Sequence, residues 1–147
     1  MPGLHYEDVE VGFRFETPGR TVTEADLVAF AGVSGDFNPL HTDSVYAAGS
    51  IYGERIAHGA LVVSLVTGLR QRTAVFDGTL MGLLEIRSWR FLAPVRIGDT
   101  IHAAVEVAEL RETSKPDRGV MVQHIDVRNQ EDAVVASGEF VMLLRRR

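Results

Sequence analysis

The chain has no cysteine, one lysine (Lys115) and one tryptophan (Trp89) among its 147 residues. Without cysteine, disulfides, thiolate catalysis and thiolate-bound zinc are excluded. Arginine carries nearly all the positive charge and the formal net charge is −5. The chain therefore lacks the basic surplus that nucleic-acid binding requires, and no nucleic-acid partner is expected. A long hydrophobic run is missing too. The most apolar stretch, 59–69, falls short of the roughly 20 residues needed to cross a bilayer, so no membrane segment is expected. Residues 1–10 contain acidic side chains and no apolar centre, and do not read as a signal peptide. With no cysteine to oxidise, a cytoplasmic location is the simplest expectation. What remains is ordinary for a soluble globular domain: 46% hydrophobic and 24% charged residues, without repeats or low-complexity tracts. The length suits one domain over 1–147 with a sizeable core.

The hydrophobic period changes along the chain. Residues 4–22 read as irregular with one short strand, 14–17, ended by Pro18-Gly19. Thr23 reads as an N-cap, with Glu24 and Asp26 in the first turn where the helix dipole favours them. Leu27, Phe30 and Ala31 follow at helical spacing, and the helix should stop before Gly35. Residues 36–42 read as a loop around Pro39, and 44–48 as a short helix capped by Asp43. Residues 59–72 form the strongest helix pattern, apolar on nearly all sides and hence predicted buried, with Arg70 and Arg72 suiting its C-terminus. From there the pattern becomes strand-like over 83–92, 100–110, 119–127 and 134–144, separated by turn residues. In 134–144 Val135, Val141 and Leu143 share a face with Ser137 and Glu139, an imperfect alternation. Helices first and a run of strands after argue an α+β fold, an antiparallel sheet packed on one buried helix.

Chemistry concentrates in one place. Asp36 and His41 stand five positions apart across the Asn38-Pro39 turn, and His58-Gly59 opens the apolar helix. Either half read alone is unremarkable, because Gly-Asp and Asn-Pro are common turn formers. Together, an acid and an imidazole on one tight loop can share a water molecule, one taking its proton while the other orients it. Gly59 sits at a helix start, where amides have no internal partner and the dipole is positive. No H-E-x-x-H spacing accompanies His41 and His58, so a metal is not expected. His5, His102 and His124 receive no role. Arg87, Arg90 and Arg96 read as solvated or ion-paired, Trp89 as a packing residue, and Arg145-Arg146-Arg147 as a solvated tail.

The stretch Phe30-Ala31-Gly32-Val33-Ser34-Gly35-Asp36-Phe37-Asn38-Pro39-Leu40-His41 resembles the hydratase motif of MaoC-like, (R)-specific enoyl-CoA hydratases. Ile56-Ala57-His58-Gly59 before an apolar helix, and Phe91-Leu92-Ala93-Pro94-Val95-Arg96-Ile97-Gly98-Asp99-Thr100, are similar to further signatures of that family. The resemblance implies a hot-dog fold, in which an antiparallel sheet wraps a long central helix. It implies reversible syn addition of water to a trans-2-enoyl thioester, giving a 3R-hydroxyacyl product. Asp36 and His41 would hold the catalytic water, and the Gly59 N–H would belong to the oxyanion site. Asn38 and His58 would support the loop, and Ser64 or Thr67 would contact the acid or the acyl chain. No metal or redox cofactor is implied; coenzyme A, or an acyl carrier protein, is the handle of the substrate. A homodimer joined edge to edge between sheets is implied as well. The rival readings are an acyl-CoA thioesterase on the same fold and a non-catalytic acyl-binding or accessory subunit.

Overall fold

The computed structural model describes residues 3–147. Met1 and Pro2, the start of the stretch read above as lacking a signal-peptide core, lie outside the described residues. After a 3-10 turn at Tyr6–Asp8 come β1 (Arg14–Glu16), β2 (Arg20–Thr21), α1 (Glu24–Ser34), α2 (Pro39–Thr42), α3 (Ser44–Ala48) and α4 (Gly59–Arg72). Four long strands follow: β3 (Leu80–Phe91), β4 (Thr100–Glu112), β5 (Arg118–Arg128) and β6 (Val134–Arg145). They form one antiparallel sheet in the order β1-β4-β5-β6-β3, with β2 also paired to β4. No helix among the described residues is long and apolar enough to cross a membrane.

The core lies between α4 and the concave face of the sheet. Leu61, Val62, Leu65, Val66 and Leu69 recur at helical spacing and are buried against Ile101, Ala103, Val105 and Val107 of β4. From Ile101 to Val107 the odd residues of β4 alternate inward, as a half-buried sheet requires. Each such side chain contributes about 1.5–3 kcal/mol when fully buried. Substituting a charged residue at Val66, which is fully buried, would break this layer.

Several expectations need correction. Residues 36–42 are not all loop, because Pro39–Thr42 makes a helical turn. Proline is well placed at N1, where its missing N–H is no loss, and Asn38 caps the turn through its side chain. Strand β2 was not expected; it is two residues long, and its pairing with Thr100 and Ile101 is invisible to local pattern. The inward face of β6 is mainly the even one, with Ala136, Phe140, Met142 and Leu144 in the main core, where Val135 at the start of the strand also lies. Val141 and Leu143 instead join Val120 and Val122 in a small second cluster. Helix α4 is not buried all round: Ser64, Thr67, Gly68 and Gln71 are exposed. Its Arg70 is buried, not a solvent-facing helix end. The C-terminal arginines are not a loose tail. Arg146 pairs with Glu7 and Glu112, and Arg147 with Asp8, tying the last strand to the first turn.

Candidate active site

The loop that carries the acid is shaped by its two helix ends. Thr23 and Asp26 form a reciprocal capping box that fixes the start of α1. At the other end Gly35 adopts φ 76°, and its N–H donates to the Ala31 carbonyl at 2.9 Å. That left-handed turn suits glycine and directs the chain out of the helix at Asp36. The Asp36 carboxylate accepts from the Asn38 N–H at 3.2 Å, and the Asn38 side chain accepts from the Leu40 N–H at 3.0 Å. Two nested Asx turns thus deliver the chain into α2, on which His41 stands. The Asn38 side chain bonds backbone, not a neighbouring acid or imidazole.

The imidazole orientations follow from their partners. His41 Nδ1 lies 2.7 Å from the Ile56 carbonyl. A carbonyl only accepts, so Nδ1 carries the proton and Nε2 of the neutral ring keeps its lone pair. His58 Nε2 lies 3.0 Å from the backbone carbonyl of Asp36 and donates to it. The buried His58 therefore ties the start of α4 to the acid's own peptide group. Its ring stacks on His41, with centroids 3.7 Å apart and planes at 26°, and meets the Phe30 ring edge-on from another side. Asp36, His41 and His58 each offer a ligand-type atom, all within 4.8 Å of one another.

That cluster has the donor types of a metal site, but the rings are badly placed for one. A zinc ion about 2 Å from each nitrogen lies in the plane of each imidazole. Two rings stacked face to face direct their lone pairs side by side, so one ion does not fit both. The arrangement suits proton handling better than metal binding.

His41 and Gly59 line a cavity of about 330 Å³ with Tyr52, Val62, Phe91 and Val95. Asp36 is exposed and does not line it, although its carboxylate lies within 4.8 Å of a His41 ring nitrogen. Gly59 begins α4, and Val62 is the first residue whose N–H closes back, onto the His58 carbonyl at 3.1 Å. The amides before it lack intrahelical partners and face the positive end of the dipole. A Cβ on Gly59 would lie 2.7 Å from the tip of the Phe91 ring, so a larger residue here has to push that exposed ring aside. Phe91 was not singled out from sequence as a contact of the site; only its place in the strand-turn motif hinted at it. Ser64 and Thr67 are not brought to the cluster within this chain. Their hydroxyls bond their own helix, to the Ala60 and Ser64 carbonyls, on its exposed side.

The family model described as the MaoC like domain matches residues 8–129. The chain belongs to the MaoC-like family. Protein MaoC of Klebsiella aerogenes is 39% identical over 114 residues, 78% of this chain but only 33% of that protein. The chain thus spans about a third of that longer MaoC relative. The (R)-specific enoyl-CoA hydratase of Rhodospirillum rubrum is 40% identical over 111 residues, covering 73% of this chain and 72% of that protein. Among solved structures, the monoamine oxidase regulatory protein of Archaeoglobus fulgidus superposes with a TM-score of 0.93 at 34% identity, covering 100% of this chain and 97% of that one. The expected hot-dog arrangement, a central helix against an antiparallel sheet, is therefore that of this MaoC-like domain.

Proposed function

We propose that this MaoC-like chain is a hydratase that adds water reversibly to trans-2-enoyl thioesters and forms 3R-hydroxyacyl thioesters. The observation that carries the reading is the approach of Asp36, His41 and His58 to within 4.8 Å beside the free amides of α4. The name of the Rhodospirillum relative, an (R)-specific enoyl-CoA hydratase, supports both the reaction and its hand.

Water is held between the Asp36 carboxylate and His41 Nε2. As its oxygen bonds to Cβ, the water gives one proton to this pair, and the C=C electrons move onto the thioester oxygen. The N–H of Gly59 and the dipole of α4 stabilise that oxygen. A proton from the pair then reaches Cα, so one water adds across the double bond and the site returns to its starting charge. The Nδ1–H bond to Ile56 holds His41 in the tautomer that this cycle needs. No metal or redox group takes part in any step. The handle of the substrate is coenzyme A or an acyl carrier protein, and residues 1–147 are read as one domain. A cytoplasmic location and a homodimer complete the proposal; the unpaired edge of β3, with Leu83, Leu84 and Ile86 exposed, supports the dimer.

The test is hydration of crotonyl-CoA, read as loss of enoyl-thioester absorbance, with product hand assigned by stereospecific 3-hydroxyacyl-CoA dehydrogenases and free thiol measured in parallel. A 3R product without thiol release is expected. Thiol release in its place would mean a thioesterase, and no turnover on thioesters of any chain length would leave a binding or accessory subunit.

A further inference from the structure

The far end of α4 holds a cation that the hydration chemistry does not use. Arg70 is 9% exposed, and among the described residues it forms no ion pair. Its Nε donates to Gln123 Oε1 at 3.0 Å and its Nη2 meets Met142 Sδ at 3.2 Å. The guanidinium carbon lies 5.5 Å from the centre of the Phe140 ring. An amide, a thioether and a ring face orient a guanidinium, but none of them neutralises it. Nη1 has no hydrogen-bond partner among the described residues, and it is not one of the sealed, unpaired atoms. Arg70 lines a cavity of about 240 Å³ whose walls include Phe15, Phe76, Leu80, Leu83 and Met142. The one acid in that wall, Asp77, is exposed and accepts from Gln71 Nε2 at 3.1 Å, not from Arg70. Burial alone lowers the Arg70 pKa, to about 10. A group so placed stays charged at neutral pH and lacks only its counter-ion.

We propose that this cavity is a carboxylate site, in which Arg70 binds an anionic head and the apolar wall takes an aliphatic body. The fork of a guanidinium matches a carboxylate, and an apolar pocket with one fixed polar group is how small ligands are usually held. Two sources share this chemistry. One is a separate small carboxylate. The other, which rests on the hydratase reading, is the far end of an acyl thioester that terminates in a carboxylate. Arg70 lies eleven residues beyond Gly59, which returns it to nearly the same helix stripe about 16 Å further along the axis. The two cavities share no lining residue, so an acyl chain that reaches Arg70 from Gly59 has to run along α4 between them.

Titration calorimetry with hexanoate, with hexanol as the neutral control, tests the site without any turnover. Saturable hexanoate binding is expected, at least tenfold tighter than hexanol and lost in Arg70→Met. Asp77→Asn, an exposed change that removes the only competing anion in the wall, should tighten hexanoate severalfold. Equal binding of acid and alcohol, or an unchanged hexanoate affinity in folded Arg70→Met, would overturn the site. If Arg70→Met does not fold, failure of Asp77→Asn to strengthen binding does the same. The sources separate in a second arm, which compares KM for a neutral 2-enoyl-CoA and one of equal length ending in a carboxylate. A lower KM for the carboxylated thioester, abolished in Arg70→Met, assigns the acyl end. Hexanoate binding that does not compete with thioester assigns a separate ligand. A protein that binds hexanoate yet hydrates nothing would refute the hydratase reading and leave this site standing.

Discussion

At the scale of single residues, the three groups of the candidate site differ in what they touch, and their substitutions should differ accordingly. Asp36 is exposed, while His41 is locked at Nδ1 and presents Nε2. Neither belongs to the hydrophobic core, so Asp36→Asn and His41→Ala should fold normally while each lowers kcat for crotonyl-CoA by about 10²–10⁴-fold. Asn38 bonds only backbone, at the N-cap of α2. Its loss to Ala should cost about 1 kcal/mol of local stability and a smaller part of the rate. Steady-state kinetics beside thermal unfolding would decide this. A folded His41→Ala near wild-type rate, or an Asn38→Ala as slow as the other two, would remove the basis of the mechanism. The acid and the imidazole were legible because spacing, a glycine and an Asn-Pro pair all act within one short stretch. The Phe91 ring over Gly59 was not, because nothing local couples a strand residue to a helix start. That Ser64 and Thr67 stand away from the cluster within this chain was not legible either: helical period groups residues by face but does not say which face meets which neighbour.

At the scale of elements, local chemistry decided the ends of helices well and the faces of strands poorly. The cap at Thr23 and the stop at Gly35 are set by a few adjacent atoms, and both lie where the sequence placed them. The inward face of β6 depends on pairing with β5 and β3, whose register shifts at several points, so alternation within the strand could not settle it. The same limit hid Arg70. A cation in the last turn of a helix is ordinarily a solvated partner of the dipole, yet here it turns onto β5 and β6. Its desolvation has a sign. Because folding lowers its pKa, the charged form is destabilised in the fold, and the penalty is present at all pH below about 10. Changing Arg70 alone would leave Gln123 Oε1 buried without its donor, at a cost of about 1–3 kcal/mol. Replacing both, as Arg70→Met with Gln123→Leu, removes the charge and the orphan together and should stabilise by about 1–3 kcal/mol. Denaturant unfolding should show the midpoint rising at constant slope. A double variant less stable than Arg70→Met alone would mean that the pair holds the end of α4 in place.

At the scale of the whole molecule, the class was readable because all the helices precede the four long strands. Closure was not readable. Arg146 and Arg147, which look like a charged tail, clamp onto Glu7 and Asp8 and bring both termini together. What one chain leaves open is the outer edge of β3. Among the described residues this strand pairs with β6 alone, and Leu83, Leu84 and Ile86 stand exposed along it. The edge carries Glu85, Arg87 and Arg90 beside these apolar side chains, and without proline its unpaired backbone groups can still take a second strand. A second copy related by a two-fold axis would pair β3 with its own image and cover these residues on both copies at once. Sedimentation velocity at tens of micromolar should therefore give a mass near twice the 16.2 kDa of the chain. Leu84→Lys with Ile86→Lys places like charges across the two-fold axis and should return the protein to a monomer that keeps its far-ultraviolet spectrum. A wild-type protein that sediments as a monomer, or a double variant that stays dimeric, would assign the exposed edge another role.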